Sequence, residues 1–108
     1  MNRISLPVVL ALVWTSPSFA TDGKQVFLDN NCERCHAVSA HDIEATAKSE
    51  SMHGPDLSSV GKDHDGDWLG KYLLREVAVD GKKHRATFRG TDEDREAIVE
   101  WLAQQKGA

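Results

Sequence analysis

Several kinds of chemistry find no material in this sequence. Cysteine occurs only twice in 108 residues, at Cys32 and Cys35. There is thus no second ligand pair at finger or ribbon spacing, which excludes a structural zinc site. Long apolar runs are missing too. The uncharged stretch Ile4 to Trp14 covers about half of the ~20 residues a membrane-spanning helix needs. Positive charge is in deficit, with 13 Lys+Arg against 17 Asp+Glu, the wrong balance for a nucleic-acid partner. Methionine is confined to Met1 and Met52. No internal repeat, low-complexity tract or convincing strand run is present, and no nucleophile–base pair suggests catalysis.

What is present is concentrated at Cys32-Glu33-Arg34-Cys35-His36. This is C-x-x-C-H, the attachment signature of c-type haem. Two intervening residues let both sulfurs reach one edge of the same porphyrin, forming two thioethers. The histidine after the second cysteine then lies under the iron as proximal ligand. A C-x-x-C redox disulfide would need a βαβ context, and none surrounds residues 22–50.

The start of the chain fits export. Met1-Asn2-Arg3 carries one positive charge, Ile4 to Trp14 is apolar, and Ser18 and Ala20 are small residues before an expected cleavage after Ala20. That divides the chain into a signal segment, 1–20, and one domain, 21–108. Without Arg3 the domain has 12 Lys+Arg against 17 Asp+Glu, a formal charge of −5. An oxidising compartment suits thiols that await haem, and so small a domain needs a cofactor to complete its core.

Along the domain, Asp22 is placed to cap a helix over 23–31 with Val26 and Phe27 inward. Residues 37–53 read as a polar, irregular loop along the haem edge. Gly54-Pro55-Asp56-Leu57 is a rigid turn, placed to offer a backbone carbonyl to the free ring nitrogen of His36. Trp68, Leu69, Tyr72, Leu73 and Val77 form the apolar face of a helix expected over Asp65 to Val79, with Gly81 as its stop. A basic loop, Lys82 to Gly90, leads to a final helix begun by Thr91, with Ala97, Ile98, Trp101 and Leu102 inward. The class is all-α.

From about 22 to 106 the chain resembles a small class I cytochrome c of bacterial type. The resemblance is carried by Gly23 and Phe27, Cys32/Cys35/His36, Gly54-Pro55-Asp56-Leu57, and the terminal helix bearing Trp101. It implies a cytochrome c fold of three to five short helices around one covalently bound haem. It also implies that the first and last helices cross through a small residue and aromatic side chains, and that the proline turn supports the proximal histidine.

One departure from that family stands out. Most of its members carry a distal methionine in the loop before the last helix, and here that loop holds His84. The expected ligands are therefore His36 and His84. The rivals are Met52, just before the turn and so on the proximal side of the haem ring; His41, His53 and His64; and Lys82 or Lys83, or no sixth ligand. The function expected is a periplasmic, low-potential electron carrier rather than an enzyme. The alternatives are a haem protein that binds a small gas such as nitric oxide, or a haem subunit of a larger oxidoreductase. Lys82, Lys83, Arg85 and Arg89 are candidates to steer it to an acidic redox partner, or to balance Asp92, Glu93 and Asp94 within the molecule. No nucleic-acid partner and no stable membrane insertion after signal removal are expected.

Overall fold

The computed structural model describes residues 21–107, so the export segment expected over 1–20 lies outside the described residues. Its helices are α1 (Gly23–Asp29), α2 (Val60–Asp63), α3 (Gly66–Leu73) and α4 (Asp92–Ala103). Strands β1 (Ala78–Val79) and β2 (Lys82–Lys83) form a small ribbon, and 3₁₀ turns lie at Cys32–Arg34, Ser39–His41 and Glu50–Met52.

α1 and α4 begin where their caps dictate. The Asp22 carboxylate accepts from the Lys24 N–H at 3.0 Å, and Thr91 Oγ1 accepts from the Asp94 N–H at 3.1 Å. Asp92, Glu93 and Asp94 occupy the first turn of α4, where the partial positive charge of the helix end favours them. The two helices cross at Gly23. A Cβ there would collide with the Ala97 carbonyl oxygen and the Trp101 Cβ, and would lie 3.0 Å from the Ala97 carbonyl carbon. This close approach buries Val26 and Phe27 against Ile98 and Leu102. It also brings the rings of Phe27 and Trp101 to 5.5 Å with a 53° tilt. The small residue and the aromatic pair are those the family resemblance implied.

Beyond α4 the chain turns back onto α2. The Gly61 N–H donates to the Gln105 carbonyl at 2.9 Å and the Gly107 N–H to the Ser58 carbonyl at 3.0 Å. Lys106 Nζ donates to the Gly61 carbonyl at 2.7 Å. The buried Gln105 side chain is satisfied by the Trp101 carbonyl at 2.8 Å and by His41 Nε2 at 3.0 Å.

Several expectations are corrected. The helix expected over 65–79 ends at Leu73. Arg75 adopts the left-handed conformation, φ 61°. The Glu76 N–H bonds the Lys71 carbonyl and the Arg75 N–H the Tyr72 carbonyl. That is a Schellman stop made with arginine instead of glycine. Gly81 does not stop that helix: with φ 50° at Asp80 and 78° at Gly81, the pair forms the two-residue turn of a hairpin, pairing Ala78 with Lys83 and Val79 with Lys82. So a short ribbon exists where no strand was expected. Finally, the polar loop 37–53 contributes core. Val38 and Ile43 are buried and exchange backbone hydrogen bonds at 2.9 and 3.2 Å, the reversal being made by Asp42 at φ 56°. The first helix also ends at Asp29, two residues before the expected limit, with Asn31 left-handed at φ 57°.

Candidate functional site

Cys32 and Cys35 sit on the 3₁₀ turn that leaves α1, both half-buried and not joined by a disulfide. The turn is closed by hydrogen bonds from the N–H groups of Cys35 and His36 to the Cys32 carbonyl, at 3.2 and 3.0 Å. Burial, and then the neighbouring Glu33 carboxylate, push the Cys32 thiol up to about 11. A dithiol redox centre needs the opposite shift.

The loop after the motif is stitched back onto it. Thr46 N–H donates to the Glu33 carbonyl, Ala47 to Arg34, Gly54 to Cys35 and Leu57 to Ala37, at 2.7–2.9 Å. These bonds carry the proline turn under the His36 ring, whose Nδ1 lies 2.8 Å from the Pro55 carbonyl oxygen. Facing an acceptor, Nδ1 carries the proton, and Nε2 keeps a free lone pair. Gly54 packs directly on the imidazole: a Cβ there would come within 2.8 Å of Nδ1 and 3.0 Å of Nε2. Burial, and then the nearby His84, lower the His36 pKa against the opposing bond to Pro55. The ring is thus neutral, the form that binds a metal.

Asp56, which sequence reasoning treated only as part of the turn, organises it. Its carboxylate accepts from the Ser58 N–H at 2.9 Å and the Ser58 hydroxyl at 2.7 Å, and from the Ser39 hydroxyl. The Ser39 bond, and then the Ser58 bonds, hold the Asp56 carboxyl down at about 2.

Of the proposed partners for His36, His84 is the one whose ring the fold brings opposite. The two ring centres are 6.0 Å apart and the ring planes differ by 13°. Nδ1 of His84 lies 2.6 Å from the Ala86 carbonyl oxygen, so this ring too presents Nε2. The other candidates have different engagements. His41 bonds Gln105 and packs on Trp101 at 5.1 Å. His53 Nε2 lies 2.6 Å from the Ala47 carbonyl oxygen. His64 stacks on Trp68 at 3.6 Å. Met52 is 39% exposed in the turn Glu50–Met52. Lys82 and Lys83 are exposed on β2. The sequence places Tyr72, whose ring lies 5.3 Å from His84, on an apolar helix face without linking it to His84, and the Ala86 carbonyl has no side-chain signature.

The Cytochrome c family profile matches residues 20–106, and the chain belongs to that family. No curated protein and no solved structure matches it. A covalently bound c-type haem is therefore the cofactor, and the chain is a haem-based electron-transfer protein. The residues fit the group. Two unpaired thiols at the required spacing adjoin a neutral imidazole, and a glycine leaves that imidazole room against the turn. The haem supplies one-electron exchange at iron. The chain supplies the anchorage, the orientation of the imidazole and the turn that holds it.

Proposed function

We propose that this is a periplasmic class I carrier of bacterial type whose single haem iron is held between His36 and His84 and works at low potential. Two imidazoles poised alike support the ligand assignment. Each engages Nδ1 with a backbone carbonyl, at Pro55 and at Ala86, and each leaves Nε2 free. Imidazole is a donor type that suits iron, and two such rings on either side of one ion need a gap between them. The separation in the structure is 6.0 Å.

Imidazole in place of a thioether at the second axial position lowers the potential, because sulfur stabilises ferrous iron preferentially. Two tethered donors leave no vacant iron position for a substrate, which suits a carrier rather than an enzyme. The pattern of Met1 to Ala20 supports export. Lys82, Lys83, Arg85 and Arg89 are exposed and, among the described residues, in no ion pair, while Asp92 pairs with Arg95 at 3.2 Å. They supply a cationic rim for an acidic redox partner.

One observation favours a second reading, gas binding. The bond orienting His84 reaches only two residues along its own loop, so the ring and its support could leave the iron together. Spectroscopy of the purified ferric protein decides the ligands. Low-spin bis-imidazole signals are expected, and a methionine-type near-infrared charge-transfer band overturns the assignment. His84→Met should raise the midpoint potential, and His84→Ala should admit carbon monoxide. Rapid, complete carbon monoxide binding by the unaltered ferrous protein would move the conclusion to gas binding.

A further inference from the structure

His36 and His84 are secured in unlike ways. The bond holding His36 joins residues nineteen apart and is flanked by the Gly54–Cys35 and Leu57–Ala37 backbone bonds. The bond holding His84 is internal to its loop and leaves the tilt of the ring to be fixed from elsewhere. A contact from a different element is the ring of Tyr72 on α3, which meets His84 edge-on at 5.3 Å and 61°. One residue further along, the Leu73 carbonyl accepts from the Phe88 N–H at 2.9 Å, so the end of α3 is also where the loop backbone is moored.

Tyr72 is itself braced. Its ring stacks on Trp68 at 4.8 Å and 18°, one helical turn away on the same face. The other neighbour of Trp68 is His64, at 3.6 Å and 12°. Trp68 packs against the core, and its backbone N–H is capped by the Asp65 carboxylate at 2.8 Å. Three rings therefore form a column from the start of α3 to His84.

We infer, on the two-histidine reading given above, that Tyr72, braced by Trp68 and His64, is the positioning residue that keeps the His84 plane nearly parallel to that of His36 and slows its departure from iron. An aromatic edge contact is directional, so it resists rotation of the imidazole as well as its retreat. The Ala86 carbonyl selects which nitrogen faces inward, and Tyr72 sets the tilt.

The test uses the ferric holoprotein with cyanide as probe, since cyanide enters only when His84 has left. Tyr72→Leu, which keeps apolar bulk but no flat edge, should bind cyanide about tenfold faster, the worth of one aromatic contact. Its electron paramagnetic resonance should also change in anisotropy, because the ring-plane angle sets the splitting of the iron orbitals. Tyr72→Phe, which restores the edge, should return both to wild-type values. Wild-type rate and spectrum in Tyr72→Leu would overturn the inference. If that variant retains no haem, His64→Ala decides: an acceleration of about threefold supports the brace, and an unchanged rate overturns it. The two-histidine reading fails separately, and visibly, if His84→Ala has the wild-type spectrum and cyanide rate.

Discussion

Alanine at Gly23 and alanine at Gly70 should move stability in opposite directions, although both glycines are helical. Glycine to alanine normally strengthens a helix by up to about 1 kcal/mol. At Gly23 the new methyl would meet the Ala97 carbonyl and the Trp101 Cβ, and neither is a flexible tip that can swing aside. α1 and α4 must part, and a radial gap of about 0.5–1 Å forfeits a quarter to a half of each dispersion contact along the seam. That seam holds Val26, Phe27, Ile98 and Leu102. The overpacking cost belongs near the upper end of the usual range, about 3 kcal/mol, leaving a net loss of about 2 kcal/mol once helix propensity is credited. For a domain of this size that lowers the melting temperature by about 8–16 °C. At Gly70, inside α3, the nearest atom to a Cβ is Val99 Cγ1 at 4.0 Å, in a groove of about 330 Å³ between α3 and α4. Propensity therefore wins there, and the midpoint should rise by about 4–8 °C. Thermal melts of the two holoproteins, followed by far-ultraviolet circular dichroism and by haem absorbance, give the answer. Shifts of the same sign would refute the packing account of the crossing.

Two further outcomes follow from charge. The folded pKa of Asp56 is depressed to about 2 from an unfolded value of about 3.9, so its contribution is full above the unfolded value and is lost as pH falls through about 2. Asp56→Asn should accordingly be less stable than wild type at pH 6, by no more than about 1 kcal/mol because the group is exposed. The gap between their denaturant midpoints should close on acidification towards pH 2, and a gap independent of pH would contradict this. If the cationic rim of Lys82, Lys83, Arg85 and Arg89 governs encounter, electron exchange with an anionic inorganic reagent should slow severalfold as the Debye length shrinks from about 10 to 3 Å. Stopped-flow rates that rise with salt would instead mean that the −5 formal charge of residues 21–108 dominates.

Those parts of the fold that announce themselves locally were legible in the chain. The haem motif, the cap at Thr91 and the proline turn each depend on residue types at fixed spacing, and the His36–Pro55 bond lies where that spacing put it. The end of α3 was not legible, because its stop uses Arg75 in a conformation that sequence reasoning reserves for glycine. Asp80-Gly81 can either end a helix or turn a hairpin; once α3 had stopped early, the hairpin was the remaining use. Val38 and Ile43 were hidden for a different reason. Two apolar residues five apart in a polar stretch show neither helical nor strand period, yet one reversal at Asp42 pairs them and buries both. The ring column behind His84 was half visible: Trp68 and Tyr72 were recognised as one face, but their relation to His84 depends on where α3 ends.

The crossing of α1 with α4 also dictates when the chain can fold. α1 packs chiefly on α4, and the core that holds Val26 and Phe27 is completed by Ile98 and Leu102, so the earliest described helix lacks its main partner until nearly the whole polypeptide has emerged. Contacts so distant along the chain form late and slowly. During synthesis the segment from α1 through Cys35 therefore lacks the helix it packs on. In that interval the thiols, which folding later buries, are at their most accessible.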